Sequence, residues 1–404
     1  MIAISRKDKL VSVAVMGEFT LDDYREFERE MLAVLPEAGK VDVLMDLRDM
    51  LGYTLDVAWE EIRFSRSHAD DFGKIAIVTD EQWMIWTAWL SRLFIHADLR
   101  VFDEDAQALE WLTGQAVETM QTVESSYSTL IAASQLITHL SDPNWIIFDC
   151  RHDLADFDAG ESSYGESHIP GARFAHLDRN LAGVKNGRNG RHPLPHPKDM
   201  AAWLGSQGVA NDSQVVAYDA SGGIFAARLW WLLSWLGHDK VAVLDGGWQA
   251  WAMAGYPATT EPPELTPREF YASAASGAVD VNFVHSHLQQ ASMRLLDARA
   301  ADRFAGENET LDPIGGHIPG ALNRSYKNNL DQQGRFKPAD VLRREFQEML
   351  GSGSPGQIVH QCGSGVTACH NLLAMEIAGL SGSRLYPGSW SEWCSDTRRP
   401  IATG

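Results

Sequence analysis

Cysteine is scarce in this 404-residue chain: there are four, Cys150, Cys362, Cys369 and Cys394, and no Cys-x-x-Cys pair. So few thiols in so long a chain do not make a disulfide framework and read as the reduced thiols of a cytoplasmic protein. Positive charge is scarce too. Lys and Arg number 34 against 54 Asp and Glu, a formal net charge of −20, and no basic run stands out. Neutralising phosphates takes clustered Lys and Arg, so no nucleic-acid partner is expected. No apolar run reaches the ~18 residues of a spanning helix, so no membrane partner is expected. The stretch Met1–Lys9 lacks the charged, apolar, small-residue order of a signal peptide, and none is expected. There is no His-x3-His and no Cys/His cluster, so no metal site is expected.

What is present is a globular composition, 45% apolar and 22% charged, in a chain long enough for two or three domains. The most informative stretch is Gln361–Ala368, Gln-Cys-Gly-Ser-Gly-Val-Thr-Ala. The apolar pair Ile358 and Val359 reads as a buried strand, Gly363 and Gly365 as a tight turn, and Cys369, Leu372, Leu373 and Ile377 as a helix. A strand, turn and helix start aim several main-chain N–H groups and the positive helix end at one spot. A thiol there, Cys362, is expected to react as thiolate and to hold an anionic product in the same cradle.

Taken in order, residues 1–115 alternate strand-like runs (Val11–Met16, Val41–Asp46, Lys74–Thr79, Leu99–Phe102) with helical ones (Leu21–Leu35, Leu55–Arg66, Glu81–Phe94, Asp105–Leu112). The helix with Trp83, Trp86 and Trp89 has two readings, core packing or a docking face for a partner. The runs Met45–Leu55, Trp59–Phe64, Lys74–Asp80 and Ala108–Leu112 resemble STAS-like proteins, relatives of anti-sigma-factor antagonists. In phospho-switched members a serine follows the second core strand; here the turn reads Asp46-Leu47-Arg48-Asp49. The resemblance implies an α/β binding module with a protein partner, not an enzyme.

Residues 116–128 are polar and irregular and read as a linker. Beyond them the chain repeats itself. Asp149-Cys150-Arg151 returns as Asp297-Ala298-Arg299, His168–Ala172 as His317–Ala321 (His-Ile-Pro-Gly-Ala both times), and Asp245–Trp251 as Tyr386–Trp393, in the same order. The repeat divides the remainder into residues 129–258 and 275–404, joined by a proline-rich connector at 259–274. Each half reads as strands alternating with helices, hence a parallel sheet with its site at the carboxyl ends of the strands. The halves differ at one informative position: where the second has Cys362, the first has Asp219.

These features together resemble the two-domain form of the rhodanese superfamily, with a catalytically inactive first half and an active second half. The fold class is then α/β, two tandem rhodanese-like domains behind a STAS-like domain. The resemblance implies a thiosulfate or 3-mercaptopyruvate sulfurtransferase that carries sulfur as a transient persulfide on Cys362, without a cofactor, to cyanide or a thiol acceptor such as a thioredoxin-like protein. Cys-Gly-Ser-Gly-Val-Thr is the loop of the mercaptopyruvate branch; the thiosulfate branch usually has basic residues after the cysteine. The resemblance makes Ser364 and His168 proton relays and gives the donor to Arg303 and to the loop residues Gly363, Gly365, Val366 and Thr367. A second carboxylate-binding arginine of that branch is replaced here by Thr310. Arg173 or Arg191 would compensate, and Asp156 or Asp158 would complete the relay.

Other readings stand beside these. Cys150, Cys369 and Cys394 are read as packing, although Cys369 could pair with Cys362 in a redox couple. His168 reads equally as a turn cap, and His317 as structural. Arg151 and Arg299 read as ion-paired scaffolding; Trp248, Trp251, Trp390 and Trp393 as packing. A phosphatase of this fold needs arginine six residues after the cysteine, where Ala368 stands. A sulfur carrier without turnover is the non-enzymatic alternative.

Overall fold

The computed structural model describes residues 2–7, 9–15, 17–38, 40–48, 50–53, 72–79, 98–102, 105–113, 126–273, 277–288, 290, 292–351 and 353–404. The expected helices Leu55–Arg66 and Glu81–Phe94, with the three tryptophans, lie outside them, as does most of 116–128. The chain forms two compact units, Met1–Glu124 and Ser125–Gly404. Among the described residues no helix is long and apolar enough to cross a membrane.

The first unit is a five-stranded sheet in the order β1-β2-β4-β6-β7. Its strands are β1 (Ile2–Lys7), β2 (Leu10–Val15), β4 (Val41–Asp46), β6 (Phe72–Val78) and β7 (Asp98–Phe102). β1 and β2 form an antiparallel hairpin, and the remaining neighbours are parallel. Between them, β3 (Gly17–Phe19) pairs with β5 (Met50–Tyr53). In β2 the residues alternate, Val11, Val13 and Val15 being buried, as a period of two requires of a strand with one face in the core. Helices Leu21–Ala38 and Asp105–Thr113 follow the expected periodicity. In the turn after β4, Arg48 donates from its main chain and guanidinium to Asp46.

The second unit holds two parallel sheets. In one, β8 (Leu130–Ile131), β9 (Trp145–Asp149), β10 (Arg173–Phe174), β11 (Gln214–Tyr218) and β12 (Val241–Leu244) run in the order β10-β9-β11-β12-β8. In the other, β13 (Arg294–Asp297), β14 (Leu322–Asn323), β15 (Ile358–Gln361) and β16 (Arg384–Leu385) run β14-β13-β15-β16. β11, β12 and β15 are buried at every residue, and β12 accordingly reads as a continuous apolar run, whereas β15 also buries His360 and Gln361. At the ends of β9 and β13 the duplicated Asp-x-Arg behaves as scaffolding: Arg151 and Arg299 each bond the aspartate two residues earlier at 2.6 Å. Each guanidinium also lies over a tryptophan, Trp248 at 4.7 Å and Trp390 at 4.8 Å.

Helices Ala226–Trp235 and Thr367–Ile377, one after each central strand, pack on each other across the seam between the halves. Leu229, Leu233 and Leu373 are fully buried there, in a single core that takes residues from both halves. Each such side chain contributes about 1.5–3 kcal/mol. This shared core fixes one half against the other and lets loops from both build one site.

Candidate active site

β15 delivers Cys362 into a turn whose geometry is set by two glycines and by the loop behind it. Gly365 has φ +81°, and a Cβ there would lie 2.4 Å from the carbonyl of Pro387, so no other residue fits. The main chain of the turn is tied to Tyr386–Trp393. Cys362 N donates to Ser389 Oγ (3.1 Å), Trp390 N to Cys362 O (2.9 Å) and Ser391 N to Gly363 O (2.9 Å). Ser389 itself holds φ 54°, a strained value for a residue with a side chain. Cys362 is buried, and Gly365 N donates to its Sγ at 3.1 Å.

The first half shows what such a turn does with an anion. Asp219 accepts Ser221 N (2.7 Å), Gly223 N (2.9 Å), Phe225 N (2.8 Å) and Ala226 N (3.0 Å). Four N–H groups thus converge on a carboxylate where the second half carries sulfur, and this turn is permanently filled.

Ser364 Oγ lies 2.8 Å from His192 Nδ1, which reaches it from the first half. His192 Nε2 faces Asp178 Oδ1 at 3.6 Å, and Lys185 Nζ bonds the same oxygen at 2.6 Å. Burial lowers the His192 pKa to about 3, against the pull of Asp178, so the ring is neutral. With Nε2–H toward Asp178, Nδ1 is left to accept from the Ser364 hydroxyl.

Two arginines flank the loop. A Cβ on Gly363 would lie 2.8 Å from Arg191 Nη2 and 3.5 Å from Arg303 Nη2. The space a side chain at 363 would take is thus occupied by the end of a first-half guanidinium. Arg303 grips Glu309 through Nε (3.1 Å) and Nη2 (2.7 Å), and Arg191 Nη1 pairs with Asp312. Both carboxylates are buried, and Arg299 Nη1 stands 3.5 Å from Glu309.

Of the expected site residues, Cys362, Ser364, Gly363, Gly365 and Arg303 meet here, and Val366 and Thr367 close the turn at the helix start. His168 is not among them. Its ring stacks on Tyr164 at 3.9 Å, with Nδ1 2.7 Å from Tyr164 O and Nε2 3.1 Å from Glu261 O. That is the turn-capping reading, shared by His317, whose Nδ1 lies 2.9 Å from Phe304 O. Arg173 is spent on Gln207 O and Gly171 O within the first half. Asp156 caps its own loop at Asp158 N, and Asp158 precedes the helix Ala159–Glu166; the carboxylate beside His192 is that of Asp178. His192, Asp178, Glu309 and Asp312 escaped the sequence reading. A signal existed: Gly190-Arg191-His192 returns as Gly334-Arg335-Phe336, each glycine at positive φ. Cys369 donates to Gly365 O at 3.3 Å, and burial pushes its pKa up to about 12. Cys394 is pushed by burial to about 11, and Cys150 is raised well above the usual thiol range.

Comparison with known proteins agrees with this architecture. Residues 10–113 match the SpoIIAA-like family, and residues 132–254 and 280–396 each match the rhodanese-like domain. A probable 3-mercaptopyruvate sulfurtransferase of Pseudomonas aeruginosa is 48% identical over 282 residues, 69% of this chain and 99% of that protein. A putative thiosulfate sulfurtransferase of Mycobacterium tuberculosis is 34% identical over 290 residues, 68% of this chain and 97% of that protein. The solved 3-mercaptopyruvate sulfurtransferase of Leishmania major superposes with a TM-score of 0.61 at 32% identity, over 68% of this chain and 76% of its own. With two of its domains matched and a relative covered almost end to end, the chain belongs to the rhodanese family, its tandem halves preceded by a SpoIIAA-like, STAS-like domain.

Proposed function

We propose that this enzyme is a sulfurtransferase that takes sulfur from 3-mercaptopyruvate onto Cys362 and passes it to a thiol or to cyanide. The observation that carries the choice of donor is the 2.8 Å contact of Ser364 Oγ with His192 Nδ1, in the same turn as Cys362 and two residues after it. Thiolate Cys362 attacks the donor sulfur, the S–S bond forms and the C–S bond breaks. The leaving group is an enolate, which needs a proton on carbon; the donor thiol gives up one. Ser364, His192 and Asp178 are suited to move it. The products are a Cys362 persulfide and pyruvate, and the persulfide anion is suited to the N–H-lined turn. Arg303 Nη1 and Arg191 Nη2 hydrogen-bond no described residue, and both flank Gly363; one free corner from each half suits the two oxygens of one carboxylate.

The domain division adopted is 1–115, 129–258 and 275–404, with only the last half catalytic. The acceptor is a small thiol or a thioredoxin-like protein, and residues 1–115 recruit a protein partner. Deleting them is expected to leave thiocyanate formation from the small donor intact. The test of the main reading compares thiosulfate with 3-mercaptopyruvate, reading thiocyanate for both. A strong preference for thiosulfate would overturn the assignment of the donor.

A further inference from the structure

The charges around the loop are matched to an unusual degree. Arg191, Arg299 and Arg303 are met by Asp312, Asp297 and Glu309. The carboxylates lie deeper than the guanidiniums they serve. Glu309 and Asp312 are 4% and 3% exposed, Arg303 and Arg191 20% and 30%. The acids therefore back the arginines and leave the guanidiniums turned toward Gly363. Asp312 is bound less completely than Glu309. Its Oδ2 accepts no hydrogen bond from any described residue, although Arg303 Nη2 stands 3.5 Å away. Glu309 takes Arg303 on both oxygens and also the N–H groups of Leu311 (2.9 Å) and Asp312 (3.0 Å).

We propose that Glu309 and Asp312 set donor selectivity, by cancelling the charge of the two arginines so that the site accepts one negative charge and rejects two. This rests on the reading above, that Arg191 and Arg303 receive the donor. With their acids in place, these arginines offer hydrogen-bond direction for one planar carboxylate and little net positive charge. A monoanion such as 3-mercaptopyruvate satisfies both free corners. A compact dianion such as thiosulfate brings a second charge into a partly desolvated crevice that already holds the Cys362 thiolate. Selectivity arises here from repulsion as much as from attraction.

The test is the donor ratio, kcat/KM for thiosulfate over kcat/KM for 3-mercaptopyruvate, in the full-length wild type and in Glu309→Gln and Asp312→Asn. Each substitution keeps shape and removes one negative charge, and the ratio is expected to rise by about tenfold or more in each. An unchanged or lower ratio in folded variants overturns the proposal. A second measurement needs neither variant nor turnover: protection of wild-type Cys362 from the neutral reagent iodoacetamide by pyruvate and by sulfate. Pyruvate is expected to protect at the lower concentration; sulfate protecting equally well or better overturns the proposal. The underlying reading fails separately, through loss of Cys362-dependent sulfur transfer, which the protection assay does not use.

Discussion

The guanidinium of Arg228, on a helix of the first rhodanese half, donates to the carbonyl of Gly365, in the Cys362 turn of the second, at 3.2 Å. The same side chain bonds Leu181 O and His192 O, is fully buried, and has no carboxylate partner among the described residues. It thus pins the segment that carries His192 to the turn that carries Cys362. Arg228→Met is expected to destabilise the second unit by on the order of 3 kcal/mol, because several buried carbonyls lose their donor. It should also slow alkylation of Cys362, since a buried cation beside the thiolate is lost. Denaturant titration and iodoacetamide kinetics read the two effects; wild-type values in both would remove Arg228 from the account.

The relay makes a prediction that separates donors. Loss of sulfite from thiosulfate yields a stable anion and needs no proton on carbon, whereas the enolate does. His192→Asn and Ser364→Ala are each expected to lower kcat on 3-mercaptopyruvate by about 100-fold and to change kcat on thiosulfate only a few-fold. Because burial holds His192 near pKa 3, its protonation adds no limb to the pH–rate profile between pH 5 and 7. A limb near 6.5 that vanishes in His192→Asn would contradict the neutral-ring arrangement.

Asp219 fills with a carboxylate the turn of the first half that matches the Cys362 turn of the second. Asp219→Ala empties a turn with four N–H donors and is expected to destabilise the second unit by about 2–3 kcal/mol. Asp219→Asn, which keeps one acceptor oxygen, should lose less. Equal stability of all three proteins in denaturant would show that the carboxylate is dispensable.

Three buried histidines govern the acid limb of stability. Burial lowers the pKa of His192 to about 3, of His360 to about 3 and of His370 to about 4. Their folded-state values lie below the unfolded value of about 6.5, so the unfolded chain binds more protons between the two. Their contribution is fully present above pH 6.5 and is lost as pH falls toward 4 and 3. Unfolding free energy is expected to fall between pH 7.5 and pH 5, by on the order of 1–2 kcal/mol per histidine. A flat profile across that range would contradict their neutral burial.

Much of this was legible in the sequence because it is written in contiguous runs. Val41–Asp46 is a strand at the residues its apolar run gives. The duplicated Asp-x-Arg marked the two halves, and the exchange of Asp219 for Cys362 marked where their turns differ. The proposed relay was less legible because His192 and Asp178 sit in an irregular loop of one half and Ser364 in a turn of the other. No periodicity marks them, and only the shared core across the seam brings them to Ser364. His168 misled for a physical reason: a histidine before Ile-Pro-Gly in both halves serves the main chain, as its bonds to Tyr164 O and Glu261 O show. Glu309 and Asp312 were invisible as selectivity groups because an acid near an arginine reads as an ordinary surface pair until its burial is known.

The central claim is that sulfur rides on Cys362. The most direct measurement is the intact mass of the full-length protein after 3-mercaptopyruvate is added without an acceptor, followed by peptide mapping and then cyanide. A gain of one sulfur atom is expected, mapped to Cys362, that cyanide removes as thiocyanate in equal amount. Sulfur found instead on Cys369, or thiocyanate formed at the full rate by Cys362→Ser, would contradict it.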